Sequence, residues 1–251
     1  MYKKQRLDKI VSIIKEHGFV TVKFLTSALH YSQATINRDL NLLEGQKLVK
    51  RTYGGVEIDK KQYIPLLFRY EYMKAEKKKL GIVASKYIND GDTVFIDGST
   101  TTEYIAENLT TVKDLTVITN NLALATYLSQ YNIKVTILGG TIKEVPNIVL
   151  SEESIEQAYN YKVDKMFFST RCITSDGEIL TGKGFNLLYK IMMKNSKKVY
   201  YLCDHGKVSD NYDSTATVAC DLSKIDAVIS DFEFSQDLKN LYLNTEFIKA
   251  I

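Results

Sequence analysis

Proline is scarce and glycine modest, 2 and 13 among 251 residues, which excludes a collagen-like repeat and a Pro/Gly-rich disordered chain. Cysteine is scarce too. Cys172, Cys203 and Cys220 are odd in number and lack a close ligand spacing, so neither a disulfide framework nor a zinc site is expected. Long apolar runs are missing: the longest, residues 199–203, falls far short of the ~18 residues of a membrane-crossing helix. The N-terminus alternates charge with aliphatics instead of presenting a signal-peptide core. The expectation is a globular cytoplasmic protein of one or two domains, with no metal, no cofactor and no membrane partner.

A strong excess of one charge is also absent, because 33 Lys and Arg nearly balance 30 Asp and Glu. The balance is uneven along the chain. Residues 1–61 hold 12 Lys and Arg against 6 Asp and Glu, and the remainder holds 21 against 24. A basic block joined to a mildly acidic body is the footprint of a small module that meets a polyanion. A solvated lysine-rich surface fits the same charge equally well.

Periodicity separates those two possibilities. Leu7, Ile10, Val11 and Ile14 recur at i, i+3, i+4 and i+7, which predicts a helix over residues 3–17 stopped by Gly18. Val22, Leu25, Ala28 and Leu29 form a second, shorter stripe. After a break at His30 and Tyr31, Ser32 is placed to cap a third helix that buries Ile36, Leu40 and Leu43. The short turn between the second and third helices is that of a helix-turn-helix. Residues 48–52 and 56–58 then read as strands around Tyr53-Gly54-Gly55, a β-hairpin wing.

The exposed face of the third helix carries Gln33, Thr35, Asn37, Arg38 and Asn41, with Asp39 the only acid before Glu44. Such side chains donate to base edges and phosphates. Each alone is also an ordinary surface residue; spacing, cap and wing together are the stronger signal. The candidate DNA contacts are Ser32, Gln33, Thr35, Asn37, Arg38, Arg51, Thr52 and Tyr53. Arginine suits the O6 and N7 of guanine and asparagine the N6 and N7 of adenine. Asn37 therefore predicts an adenine, while Arg51 on the wing reads as a phosphate contact.

Residues 59–75, charged and aromatic with Pro65 inside, read as a linker. Beyond it, β-rich runs at 93–97, 115–119, 134–138, 165–169, 199–203 and 227–230 alternate with helix-compatible segments at 77–88, 102–109, 122–130 and 152–161. That alternation predicts a mostly parallel α/β sheet covered on both faces. The first run ends at Asp97 and passes into Gly98-Ser99-Thr100-Thr101 before a helix. Such a turn offers backbone N–H groups, hydroxyls and a helix dipole to an anion such as phosphate. A simple capped turn has the same composition. Asn120-Asn121 and Gly139-Gly140 end the next two strands, at the edge where open α/β sheets bind ligands. Lys183, Asp204 and Lys207 complete the candidate effector-binding set.

These residues resemble the DeoR family of bacterial transcription regulators along nearly the whole chain. The likeness is carried first by Arg6 with Ile10, by residues 32–40, and by Leu48-Val49-Lys50-Arg51 leading into Gly54-Gly55. It continues through Glu76-Lys77, residues 97–101, Thr119-Asn120-Asn121, Gly139-Gly140, Asp176-Gly177 and Asp204-His205-Gly206-Lys207. The resemblance implies an α/β chain of two parts: a winged helix-turn-helix, then a Rossmann-like, ribose-5-phosphate-isomerase-like effector domain that takes a phosphorylated sugar. Asn37 stands where the family commonly has Arg, and Tyr53 where His usually precedes the glycine pair. His205-Gly206 replaces a Ser-rich pair, and Ser169 to Cys172 a smaller, Gly-containing turn.

The related isomerases look similar at Lys183-Gly184, but they need a carboxylate base soon after that run. From Gly182 through Cys203 this chain has no Asp or Glu. No catalytic residue is therefore expected. The expected domains are a winged helix-turn-helix over residues 1–58, a linker over 59–75 and an effector and oligomerisation domain over 76–251. The expected function is a sequence-specific transcriptional repressor of a sugar-metabolism operon. It would bind double-stranded operator DNA as a homodimer or homotetramer, under control of a phosphorylated sugar. A sugar-phosphate isomerase carrying an accessory DNA-binding domain is the alternative.

Overall fold

Ile10, Val11 and Ile14 lie at most 3% exposed and seat the first helix, α1 (Lys3–His17). A two-residue strand, β1 (Phe19–Val20), precedes α2 (Val22–Leu29), whose first turn is closed by Thr21 accepting from the Phe24 N–H at 3.1 Å. His30, at φ 56°, ends α2 in the left-handed region. α3 (Gln33–Gly45) follows, then β2 (Val49–Thr52) and β3 (Gly55–Ile58). β3 pairs antiparallel with both β2 and β1. One apolar cluster joins the α1 residues to Leu25, Leu29, Ile36, Leu40, Leu43, Val49 and Val56. Ala28, expected in the second stripe, instead faces solvent, because Leu25 and Leu29 already fill the contact of this short helix.

The computed structural model describes residues 3–17, 19–46, 48–52, 55–58, 69, 72–144, 147–212 and 215–251. The chain divides into two compact units, Met1–Phe68 and Arg69–Ile251. The second unit opens with the helix Lys74–Ser85 and then lays down β4 (Thr93–Ile96), β5 (Thr116–Thr119) and β6 (Lys134–Ile137). A 3₁₀ helix, Thr102–Asn108, stands where an α-helix was expected, and the helix Leu122–Leu128 links β5 to β6. A hairpin of β7 (Ile142–Glu144) and β8 (Ile148–Val149) leads into the helix Glu152–Ala158. β9 (Val163–Phe168), β10 (Cys172–Ile173), β11 (Glu178–Gly182), the helix Phe185–Lys194 and β12 (Ser196–Cys203) follow. The chain ends with β13 (Ala216–Asp221), β14 (Ala227–Ser230), the helix Gln236–Leu241 and β15 (Glu246–Lys249).

Seven strands form one sheet in the order β15-β14-β12-β9-β4-β5-β6, and every neighbouring pair is parallel. Burial on both faces explains the near-continuous apolar runs at Val94, Phe95 and Ile96 and at residues 199–203, all at most 9% exposed. Strands proceed one way from β4 and the other way from β9. The crevice between those two, at the carboxyl ends of the strands, is the topological switch point where such sheets take ligands. A small antiparallel sheet, β10-β11-β13, stands apart from it.

Candidate functional site

In the first unit, Ser32 caps α3, accepting from the Thr35 N–H at 3.2 Å and sharing a hydrogen bond with the Thr35 hydroxyl at 2.9 Å. The free N–H groups of the first turn are thereby partly satisfied by the residues expected to meet DNA. Gln33 and Arg38 are exposed, while Thr35 and Asn37 are half-buried. Arg51 reaches from β2 onto α3, donating to Asn37 Oδ1 at 2.7 Å and to Asn41 Oδ1 at 2.6 Å. Tyr53 and the side chain of Thr52 lie outside the described residues. Asp39 departs from the surface role that its neighbours suggested. It is 1% exposed and receives two hydrogen bonds from Arg6, at 2.5 and 3.1 Å.

In the second unit, parallel strands bring their carboxyl ends to one rim. Asp97 is buried there, accepting from the Thr102 hydroxyl at 2.6 Å and the Tyr189 hydroxyl at 2.7 Å. Burial pushes its carboxyl up, against the downward pull of hydrogen bonds from Thr102, Tyr189 and Ser99. Ser99 accepts from the Thr102 N–H at 3.1 Å and so shapes the turn. Gly98 lies against the next strand end, since a Cβ there would stand 3.3 Å from Asn120 Oδ1. Lys77 reaches this turn from the helix Lys74–Ser85. Its side chain is 2% exposed, and its ammonium donates to Thr100 Oγ1 at 3.0 Å and to the Arg69 carbonyl at 2.5 Å.

Lys207 donates to the Thr170 carbonyl at the end of β9, at 2.8 Å, and stands 3.7 Å from Asp204. Among the described residues, both oxygens of the buried Asp204 carboxylate, Asn120 Oδ1 and Thr101 Oγ1 have no hydrogen-bond partner. A buried polar atom left so costs about 1–3 kcal/mol, and these are acceptors or hydroxyls waiting for a donor.

Other expected site residues have a visible task in the fold. Asn121 caps the helix Leu122–Leu128 and donates to Glu103 at 2.9 Å. The Gly139 N–H donates to Gln157 at 2.9 Å, and its carbonyl accepts from Ser154 at 2.8 Å. Gly140, at φ 134°, lies so near the helix Glu152–Ala158 that a Cβ would fall 2.1 Å from Ser151 Oγ. Lys183 is exposed, and its carbonyl accepts from Lys143 at 2.9 Å. Arg171, just past β9 and not among the expected contacts, donates to Thr215 Oγ1 at 3.1 Å. Among the described residues no group of His, Cys, Asp and Glu is arranged to hold a metal, and no helix is long and apolar enough to cross a membrane.

The sequence pattern of the DeoR-like helix-turn-helix domain matches residues 6–62, and that of the DeoR C terminal sensor domain matches residues 73–232. The chain belongs to the DeoR family. The HTH-type transcriptional repressor GlcR of Bacillus subtilis is 31% identical over 234 residues, covering 92% of this chain and 89% of its own. The lactose phosphotransferase system repressor of Staphylococcus aureus is 26% identical over 254 residues, covering 99% of this chain and all of its own. Among solved structures, ribose 5-phosphate isomerase A of Methanocaldococcus jannaschii overlaps 55% of each chain at 20% identity, with a TM-score of 0.39. The family architecture thus joins a DNA-reading unit to a sensor unit, and both named relatives are repressors.

Proposed function

We propose that this DeoR-family chain is a cytoplasmic transcriptional repressor of a sugar-metabolism operon, and that a phosphorylated sugar bound at the carboxyl rim of the seven-stranded sheet governs its hold on operator DNA. One observation carries the sensor assignment: a buried ammonium, Lys77, sits on the Gly98–Thr101 turn, while at the same rim the buried acceptors of Asp204 and Asn120 have no donor among the described residues. A phosphate suits the cation and the turn, and sugar hydroxyls supply the missing donors. Asp97, Gly98, Ser99, Thr100, Thr101, Asn120, Lys183, Asp204 and Lys207 are the proposed ligand contacts, with Asn121, Gly139 and Gly140 shaping the rim. Ser32, Gln33, Thr35, Asn37, Arg38, Arg51, Thr52 and Tyr53 are the proposed DNA contacts. A homodimer or homotetramer supplies the two or more reading heads that repeated half-sites require.

The isomerase alternative is not favoured. No Asp or Glu occurs from Gly182 through Cys203, and Asp97 is already engaged by Thr102 and Tyr189. Thermal unfolding with a panel of pentose and hexose phosphates tests the proposal. A ligand at ~100 times its Kd adds ~2.7 kcal/mol to stability, so one phosphorylated sugar raises Tm while its unphosphorylated parent does not. NMR of the same mixtures shows no conversion; turnover would favour the isomerase.

A further inference from the structure

We propose that Arg51 is a positioning residue that decides which hydrogen-bonding groups α3 shows to DNA, and thereby turns Asn37 from an adenine reader into a guanine reader. The inference rests on α3 being the DNA-reading helix. Arg51 spans the gap between β2 and α3 with a two-pronged contact. One terminal nitrogen donates to Asn37 Oδ1 at 2.7 Å and the other to Asn41 Oδ1 at 2.6 Å. Its own backbone N–H donates to Glu44 Oε1 at 3.0 Å, which ties the strand to the end of the same helix. Three residues of α3 are thus held by one residue of the wing.

A guanidinium has only N–H donors and accepts nothing. The amide oxygens of Asn37 and Asn41 must therefore face it, and each rigid planar amide turns its NH2 the other way. Asn37 and Asn41 stand one helical turn apart on the same face, so the pair turns its oxygens toward Arg51 and its NH2 donors away from it. An asparagine with both ends free reads adenine by accepting from N6 while donating to N7. With its oxygen turned onto Arg51 and one of its two lone pairs taken, Asn37 leads with its NH2 edge and is poorly placed to accept from N6 while donating to N7. Its N–H groups suit an edge made only of acceptors, and in the major groove guanine presents two, N7 and O6. The planar fork of arginine is what holds both oxygens at once; a lysine ammonium has neither that geometry nor that reach.

The test is selection from a randomised duplex library with the full chain as wild type, Asn37→Ala, Arg51→Ala and Arg51→Lys. Asn37→Ala marks the base pair concerned by relaxing preference there. At that pair wild type selects guanine, and both Arg51 variants move toward adenine by about five-fold or more, the discrimination expected of a two-point base contact. Arg51→Lys keeps the positive charge and decides the matter if Arg51→Ala does not fold. Adenine selected by wild type overturns the proposal. So does an Arg51 series that weakens on all sequences alike with wild-type preference intact, the behaviour of a plain phosphate contact. An Asn37→Ala variant that selects the wild-type site unchanged overturns it as well. A wild type that selects no duplex overturns the DNA-reading assignment of α3 itself.

Discussion

Arg6 and Asp39 form a two-pronged ion pair between α1 and α3, 33 residues apart in sequence, with the carboxylate 1% exposed and the guanidinium 14% exposed. The Tyr31 ring lies 4.7 Å from the guanidinium carbon and covers one side of it. Removing Arg6 alone strands a buried charge. Arg6→Ala is expected to cost the helix-turn-helix unit about 3 kcal/mol, the lower end for a broken buried pair because Arg6 is partly exposed. The double variant Arg6→Met with Asp39→Leu is expected to recover most of that loss. Urea unfolding of the three proteins checks this, and equal losses in the single and double variants would contradict it.

Lys77 is expected to hold the phosphate end of the effector. Lys77→Met should raise the Kd for the phosphorylated sugar at least ten-fold, or about 1.4 kcal/mol, and leave DNA affinity without effector within two-fold of wild type. Calorimetric titration measures the first and fluorescence anisotropy the second. An unchanged effector Kd would move the phosphate away from the Gly98–Thr101 turn.

His205 donates a pH dependence to the second unit. Its ring nitrogen lies 2.5 Å from Asp231, and that hydrogen bond raises its pKa above the ordinary 6.5 against the lowering effect of burial. A histidine with a raised folded-state pKa contributes stability that is fully present below about 6.5 and is lost as pH rises through the folded value. The Tm gap between wild type and His205→Gln should therefore be widest in mild acid and shrink as pH rises through that window. A gap that does not vary with pH would show that the pair is held without the imidazolium.

Repeated half-sites call for more than one reading head per assembly. Light scattering of the full chain at micromolar concentration is expected to give the mass of a dimer or tetramer. A monomer under those conditions would contradict the proposed mode of operator binding.

Local pattern made much of this molecule legible. The apolar stripe of α1, the Ser32 cap of α3 and the strands that become β4, β5 and β14 each follow from a few adjacent residues. What escaped depends on contacts distant in sequence. Asp39 looks like a surface acid until α1 brings Arg6 to it, and Lys77 looks like one of many lysines until β4 places Thr100 beside it. β1 is two residues long, too short for alternation to register. The helix Phe185–Lys194 follows a glycine-flanked lysine, a pattern that reads as a ligand loop and not as a helix start. Asn37 is the sharpest case, because its side chain is visible in the sequence but its orientation is set from β2.

The most direct test of the account is the affinity of the full chain for its selected operator, with and without the stabilising sugar phosphate, in wild type and in Thr100→Asp. The substitution puts a carboxylate where the phosphate is proposed to bind. Wild-type affinity is expected to change at least ten-fold on addition of the sugar phosphate. Thr100→Asp is expected to bind operator as wild type does without effector and to show no change on its addition. A wild type indifferent to every pentose and hexose phosphate, or a Thr100→Asp protein that responds in full, would contradict it.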